Sequence, residues 1–149
     1  MREKISPLNE SEVAWVRAQL QSASKFVAGF SPEDSEQSLT LAALDRAFAA
    51  WVTSEPLDPD LINSIINYVG IAFGQALVDR IGFNWVIATD ERGSDLAVYT
   101  ASEQGDALVY PANFVAKRWT RHETNFLEKA CNQIARDVRA ASQKQYPSP

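Results

Sequence analysis

The side chains best suited to binding a ligand form a basic cluster late in the chain. Its members are Lys117, Arg118, Arg121 and His122. Thr120 and Glu123 have the Thr-x-x-Glu spacing of a capping box, so we expect the last helix to begin beside this cluster. Helix N-termini attract anions, and arginine can donate paired hydrogen bonds to a carboxylate or phosphate. The cluster therefore predicts a site for a small anion or an acidic protein.

Acidic residues near position 90 offer an alternative role for this cluster. Asp90 and Glu91 lie in a predicted hairpin turn, and Asp95 follows just beyond it. Lys117 and Arg118 could pair with these carboxylates across the sheet, which would leave no anion site. Asp90 is also a common turn residue and needs no ligand to explain it. A further hypothesis makes the carboxylates part of an enzyme, which would require a pocket that gathers Asp90, Asp95 and a basic residue.

Few other residues could take part in catalysis. His122 is the only histidine and Cys131 the only cysteine, and they lie nine residues apart on one predicted helix. At that spacing they face opposite sides, so they cannot form a nucleophile–base pair. We expect Cys131 to be a small buried residue. Phosphate-loop, zinc-protease and serine-hydrolase motifs are missing, so we predict no catalytic residue, no metal ligand and no cofactor.

Length and charge limit the class of protein. The chain has 149 residues, 46% of them apolar, and a formal net charge of −5, which predicts one domain over residues 1–149 with a real core. Residues 1–116 carry 7 basic and 16 acidic groups, net −9, whereas residues 117–149 carry 7 basic and 3 acidic groups, net +4. A net-acidic body disfavours nucleic acid. The basic C-terminal part could meet an acidic partner.

The sequence also suggests a location. No apolar run follows the first four residues, which predicts that there is no signal peptide. The longest apolar stretch, residues 61–81, is interrupted by polar residues and predicts no membrane span. A single cysteine fits a reducing compartment. We therefore expect a cytoplasmic protein without a membrane partner.

These residues must be positioned by a mainly helical frame. Apolar periodicity predicts an N-terminal helix in residues 1–30, two further helices from residue 39, and C-terminal helices in residues 111–145. Asn9 and Glu12 form a capping box for the first helix, and Gly29 is a candidate for its left-handed C-terminal residue. The third helix is predicted from Pro59 to residue 81, with Asp58 as its cap.

The third helix is expected to be the central one. Apolar residues occur on more than one of its faces. Gly70 and Gly74 lie one turn apart, which marks a close approach by a neighbouring backbone. Gly82 is the candidate left-handed residue at its end.

Between residues 83 and 110 the pattern changes to short β-type runs separated by turns. Tight turns at residues 90–93 and 102–106 require three antiparallel strands. We therefore predict an α+β fold, mainly helical, with a small three-stranded antiparallel sheet packed on the central helix. Tryptophan is enriched at binding hot spots, but Trp85 in a strand is more typical of a core.

An ordered set of residues resembles a bacterial family of domains of unknown function, over roughly residues 44–123. The set is Leu44-Asp45, Gly70-x3-Gly74, Gly82-Phe83-Asn84-Trp85, Asp90-Glu91-x-Gly93, Pro111 and Lys117-Arg118. The resemblance supports the fold and brings no established activity with it. It marks Trp85, Asp90, Lys117 and Arg118 as the positions of first interest.

The sequence favours a binding module over an enzyme. The first hypothesis is a non-catalytic protein-binding module, of the immunity or adaptor kind. The alternative is a small-anion or small-ligand-binding domain, with Lys117, Arg118 and Arg121 around the start of the last helix. Trp85, Asp90 and His122 are the other candidate binding residues. The oligomeric state is left open.

Overall fold

The computed structural model describes residues 4–30, 39–54, 58–101 and 106–145. The elements follow one another as β1 (Lys4–Pro7), α1 (Glu10–Phe30), α2 (Leu41–Thr53), α3 (Pro59–Ile81), β2 (Asn84–Asp90), β3 (Gly93–Thr100), β4 (Ala107–Val109), α4 (Pro111–Thr120) and α5 (Leu127–Gln145). The fold is mainly helical with one antiparallel sheet, so the predicted α+β class is confirmed. The sequence also predicts a polar connector at residues 31–38, the end of the second helix at Pro56 and a frayed tail at residues 146–149. These segments and most of the second turn lie outside the described residues.

The helix boundaries follow from their capping residues. Asn9 and Glu12 form the expected capping box, with both backbone-to-side-chain distances at 2.8 Å. Asp58 accepts a hydrogen bond from the Asp60 amide at 2.9 Å and Pro59 opens α3. Gly82 ends α3 in the left-handed conformation, with φ 94°. Helix α2 begins two residues later than Leu39, because the Thr40 side chain caps it.

Helix α3 is the central helix, as predicted. Its buried residues lie on several faces, and its neighbours include α1, α2, α4, α5 and the sheet. A Cβ atom at Gly70 would lie 2.5 Å from Ala112 Cα, so only glycine allows α4 to pack this closely. A Cβ at Gly74 would lie 2.5 Å from the ring of Trp85. The two glycines therefore set the distances from α3 to α4 and to β2.

The sheet has four strands in the order β1-β2-β3-β4, so the prediction of three strands was incomplete. All neighbouring strands are antiparallel. The additional strand, β1, is short, fully exposed and carries Pro7 at its end. Such a segment has no buried face and therefore no apolar alternation in its sequence. Only its pairing with β2 makes it a strand.

Two predictions about helix ends were wrong. Gly29 lies inside α1, which continues to Phe30, and Gly29 is not among the residues with positive φ. Helix α5 begins at Leu127, seven residues beyond Thr120. Thr120 instead ends α4, and its hydroxyl donates to the Lys117 carbonyl at 2.7 Å. The Thr-x-x-Glu spacing therefore has no capping role here.

One helix of the described part of the chain, α3, is long and apolar enough to cross a membrane by length and composition alone. Half of its most apolar segment is buried against the rest of the fold. The central helix of a globular core has the same properties. This observation therefore carries no assignment to a membrane.

Candidate functional site

The N-terminus of α5 is already occupied by a carboxylate of the protein. Asp45, which is only 8% exposed, accepts hydrogen bonds from the amides of Leu127 at 2.9 Å and Glu128 at 3.1 Å. Burial raises the pKa of Asp45, while the two backbone donors act in the opposite direction. An external anion would have to displace Asp45. The predicted anion site at the backbone of this helix start is therefore filled from α2.

Arg118 is partly exposed, and its guanidinium contacts two phenylalanine rings and a backbone carbonyl of the protein. Its guanidinium lies 3.5 Å from the centre of the Phe114 ring and donates to the Phe114 carbonyl at 3.2 Å. The Phe126 ring centre is 5.9 Å away. Burial lowers the pKa of Arg118, and Glu123 opposes this effect. The 3.5 Å cation–π contact lies within α4, whereas the contact with Phe126, just before α5, is near the outer limit of the cation–π range.

The other members of the predicted cluster have surroundings of their own, although the charge of Arg121 is near enough to lower the pKa of Arg118. Lys117 is exposed on α4. Arg121 pairs with Glu123 at 3.9 Å, and the ring of His122 stands 6.2 Å from that of Trp119. His122 lies in the turn after α4 with φ 58°, so the prediction that it shares a helix with Cys131 was wrong. Trp119 itself stacks on Trp51 and belongs to the core.

The alternative pairing of the cluster with the sheet was also wrong. Among the described residues, neither Lys117 nor Arg118 forms an ion pair with Asp90, Glu91 or Asp95. Helix α4 leaves the sheet at Pro111, so its C-terminal residues lie far along the helix from the hairpin turn. The basic C-terminal region is therefore not neutralised by those acids.

Arg118 instead lines a concave surface with two basic residues of α5. This surface, here called the basic concavity, has a volume of about 640 Å³ and is lined by Arg118, Lys129, Arg136, Glu123, Asn125, Asn132 and Gln133, among others. It holds three basic residues against one acid. Glu123 is already paired with Arg121. The surface therefore offers positive charge and amide groups to solvent.

Trp85 is held as part of the frame. Its indole Nε1 donates to Gln75 Oε1 at 2.9 Å, and its ring lies against Gly74. One side of the ring also lines a cleft of about 360 Å³ beside α1, together with Leu8, Val13 and Leu20. Trp85 therefore packs against the core, as predicted, and part of its side chain remains exposed.

Asp90 lies in the predicted turn between β2 and β3. Its Oδ1 accepts from the Arg92 amide at 2.8 Å, which is the turn role expected of it. Asp90, Arg92 and Asp95 also line one groove of about 740 Å³ that reaches Tyr110 and Asn113 of the α4 start. The structure thus gathers both carboxylates with a basic residue, as the enzyme hypothesis required.

Cys131 is 1% exposed, which confirms its assignment as a buried residue. Burial raises the pKa of its thiol, and nearby Arg80 acts in the opposite direction. Within the described part of the chain, no three His, Cys, Asp or Glu side chains are arranged to hold a metal ion.

The sequence analysis gave no site role to Asp45, Lys129 or Arg136, although Asp45 belongs to the ordered set that carries the family resemblance. Lys129 and Arg136 are seven residues apart in α5, and this spacing places them on one helix face. That signal was present in the sequence. Asp45 lies on an apolar helix face, where a carboxylate needs a partner, and the partner was not evident from the sequence.

Comparisons with known proteins give a family and no activity. A comparison with curated proteins found no match, and neither did a comparison with solved structures. Residues 49–129, more than half of the chain, match a domain of unknown function, DUF3806. The matched segment contains the central helix, the β2–β4 part of the sheet, α4 and the first turn of α5. The chain therefore belongs to the DUF3806 family of domains of unknown function.

Proposed function

We propose that this chain is a non-catalytic protein-binding module, of the adaptor or immunity kind, that takes up an acidic segment of a partner in the basic concavity. The observation that carries the proposal is the charge of that surface. Arg118, Lys129 and Arg136 face one concavity in a protein whose formal net charge is −5. Positive potential confined to one surface steers an acidic partner to it.

The same geometry favours an acidic segment over a small anion. A small anion gains most from backbone N–H groups at a helix N-terminus. Those of Leu127 and Glu128 donate to Asp45. The remaining charged donors are side chains, Arg118 of α4 and the α5 residues Lys129 and Arg136, which lie seven residues apart on their helix. An extended acidic segment can contact both ends of this row, whereas a phosphate ion can contact only one.

The test uses charge reversal with a matched control. We expect the wild-type protein to bind a fluorescent oligoglutamate peptide at low ionic strength, measured by fluorescence anisotropy, and to release it as salt is added. Lys129→Glu combined with Arg136→Glu should weaken binding by at least about tenfold, which corresponds to about 1.4 kcal/mol. Arg139→Glu reverses one charge on an exposed part of α5 outside the concavity, and should weaken binding much less than Arg136→Glu alone, which makes the same change in net charge.

Equal weakening by Arg139→Glu and by the double variant would contradict the assignment to this concavity. A shift in melting temperature with inorganic phosphate, lost in the double variant, would instead favour the small-anion alternative.

A further inference from the structure

The strand β4 is too short to cover the edge of β3. It pairs with β3 only through Val98↔Val109, Tyr99↔Leu108 and Thr100↔Ala107. The same register would next place residues 110–113 opposite residues 97–94. Pro111 opens α4 instead, so the chain leaves the sheet. Residues 93–97 therefore have no strand partner on this side among the residues that the structure describes, and we call them the open edge.

Strand register tells which backbone groups face the open edge. Asp90 and Gly93 close a two-residue turn and form its hydrogen-bonded pair. In an antiparallel pair the hydrogen bonds alternate, so Asp95 and Ala97 direct their N–H and C=O groups to β2. Ser94 and Leu96 direct theirs to the other side. These two residues present the donors and acceptors to which another strand can bind.

A helix forms the opposite wall. The groove of about 740 Å³ runs beside Ser94, Asp95 and Leu96 and is bounded by Tyr110, Ala112 and Asn113. The start of α4 cannot move closer to α3, since the Ala112 backbone already packs against Gly70 of that helix. The groove is therefore fixed in shape, with a strand edge on one side and a helix on the other. Peptide-binding domains that add a strand use this arrangement.

Charge indicates what kind of segment fits. The lining of the groove contains two acidic residues, Asp90 and Asp95, and one basic residue, Arg92. Toward an added strand, Asp95 occupies a non-hydrogen-bonded position, where side chains of opposite residues come closest. A basic residue of the added strand would therefore lie directly across from Asp95.

We propose that the open edge of β3 is a second binding site, which takes an extended peptide segment carrying a basic residue as an additional strand. The site is separate from the basic concavity and does not depend on the function proposed for it. Its affinity would come from backbone hydrogen bonds to Ser94 and Leu96, and its selectivity from Asp90 and Asp95.

Amide hydrogen exchange of the full chain tests the proposal directly. The probe is a peptide of alternating valine and threonine with one central lysine. In the free protein we expect the amides of Asp95 and Ala97 to be protected and those of Ser94 and Leu96 to exchange quickly. Saturating peptide should protect Ser94 and Leu96. No change should occur at the outer edge of β1, residues 4–7.

Variants separate backbone pairing from other contacts. Ser94→Pro removes the amide that faces the groove, and proline is tolerated in edge strands at such positions. It should weaken peptide binding about tenfold. Ser94→Ala removes only the hydroxyl that lies 2.8 Å from Thr89 Oγ1, and should leave binding almost unchanged. Near-ultraviolet circular dichroism checks that both variants remain folded.

A charge exchange keeps the test informative if Ser94→Pro fails to fold. Asp95→Lys should weaken binding of the lysine peptide and strengthen binding of a peptide with glutamate in the same place. Three results would overturn the proposal. The first is absence of peptide binding, in which case the acidic residues would serve to protect the edge against aggregation. The second is protection of the β1 amides alone. The third is protection of Ser94 and Leu96 that rises with protein concentration in the absence of peptide, which would assign the edge to a second copy of the chain.

Discussion

The carboxylate of Asp45 joins α2 to the first turn of α5, although Asp45 and Leu127 are 82 residues apart. A buried carboxylate is costly unless its oxygens are hydrogen-bonded, and here each oxygen accepts one backbone N–H. The positive end of the helix dipole adds to the stabilisation. At the residue scale, this contact fixes where α5 begins and so positions Lys129 two residues further on.

Replacing Asp45 should therefore loosen the start of α5. We expect Asp45→Ala to lower the free energy of unfolding by about 1–3 kcal/mol, because one buried and one partly buried backbone donor lose their acceptor. Hydrogen exchange should show lost protection at Leu127 and Glu128. Asp58→Ala is the control, since Asp58 caps the exposed start of α3 and should leave the α5 amides unaffected. Unchanged protection at Leu127 in Asp45→Ala would contradict the capping role.

At the scale of elements, the packing of α3 depends on two residues without side chains. Gly70 admits the α4 backbone and Gly74 admits Trp85 and Pro111. Both contacts are too short for a Cβ atom, so neither distance could be kept with alanine. The position of α4 therefore determines one wall of the groove beside the open edge of β3. It also determines the side of the basic concavity that carries Arg118.

Two glycine substitutions should have opposite signs. Gly70→Ala should lower the free energy of unfolding by about 1–3 kcal/mol, because its Cβ overlaps Ala112 and the helices must separate. Gly70→Leu should be worse. Gly29→Ala adds a Cβ that meets nothing within 4 Å inside α1, so it should stabilise by about 0.4–1 kcal/mol. Urea unfolding measures both. A neutral Gly70→Ala would mean that α4 can shift at little cost.

At the scale of the whole molecule, one apolar cluster links all the helices and the sheet. Its members include Phe26 of α1, Phe48 of α2, Phe73 of α3, Val98 of β3 and Leu127 of α5. Aromatic contacts continue the connection, since Phe73 stacks on Phe114 of α4 at 4.8 Å. A core shared in this way leaves no obvious line of division between separate units.

We therefore expect the 149 residues to unfold as one cooperative unit. Tryptophan fluorescence reports on the contact of Trp51 in α2 with Trp119 in α4. Its urea transition should coincide with the transition measured by far-ultraviolet circular dichroism. Two separated transitions would contradict the prediction of a single domain.

Several elements could be predicted because their signals are local. The Asn9–Glu12 box, the Asp58 cap and Gly82 act within a few residues of themselves, and α3 shows its burial in its composition. The two glycines of α3 correctly indicated close packing. The strands β2 to β4 were evident from β-branched residues and turns.

The basic cluster could be only partly predicted. Its charge was evident in the sequence, but its grouping depends on where helices end, and helix ends at 120–127 are decided by Asp45 and by the turn geometry of His122 and Asn125. As a result Arg118 lines one concavity with Lys129 and Arg136, and Arg121 and His122 are not part of that lining.

The sequence by itself determined the fold class, the central helix, the caps of α1 and α3 and the uneven charge, because periodicity, capping and composition act over short distances along the chain. Tertiary structure alone decided the pairing of β1, the start of α5, and the open edge of β3. Each of these depends on contacts between residues far apart in the chain, and the free energy of such contacts leaves no pattern in neighbouring residues.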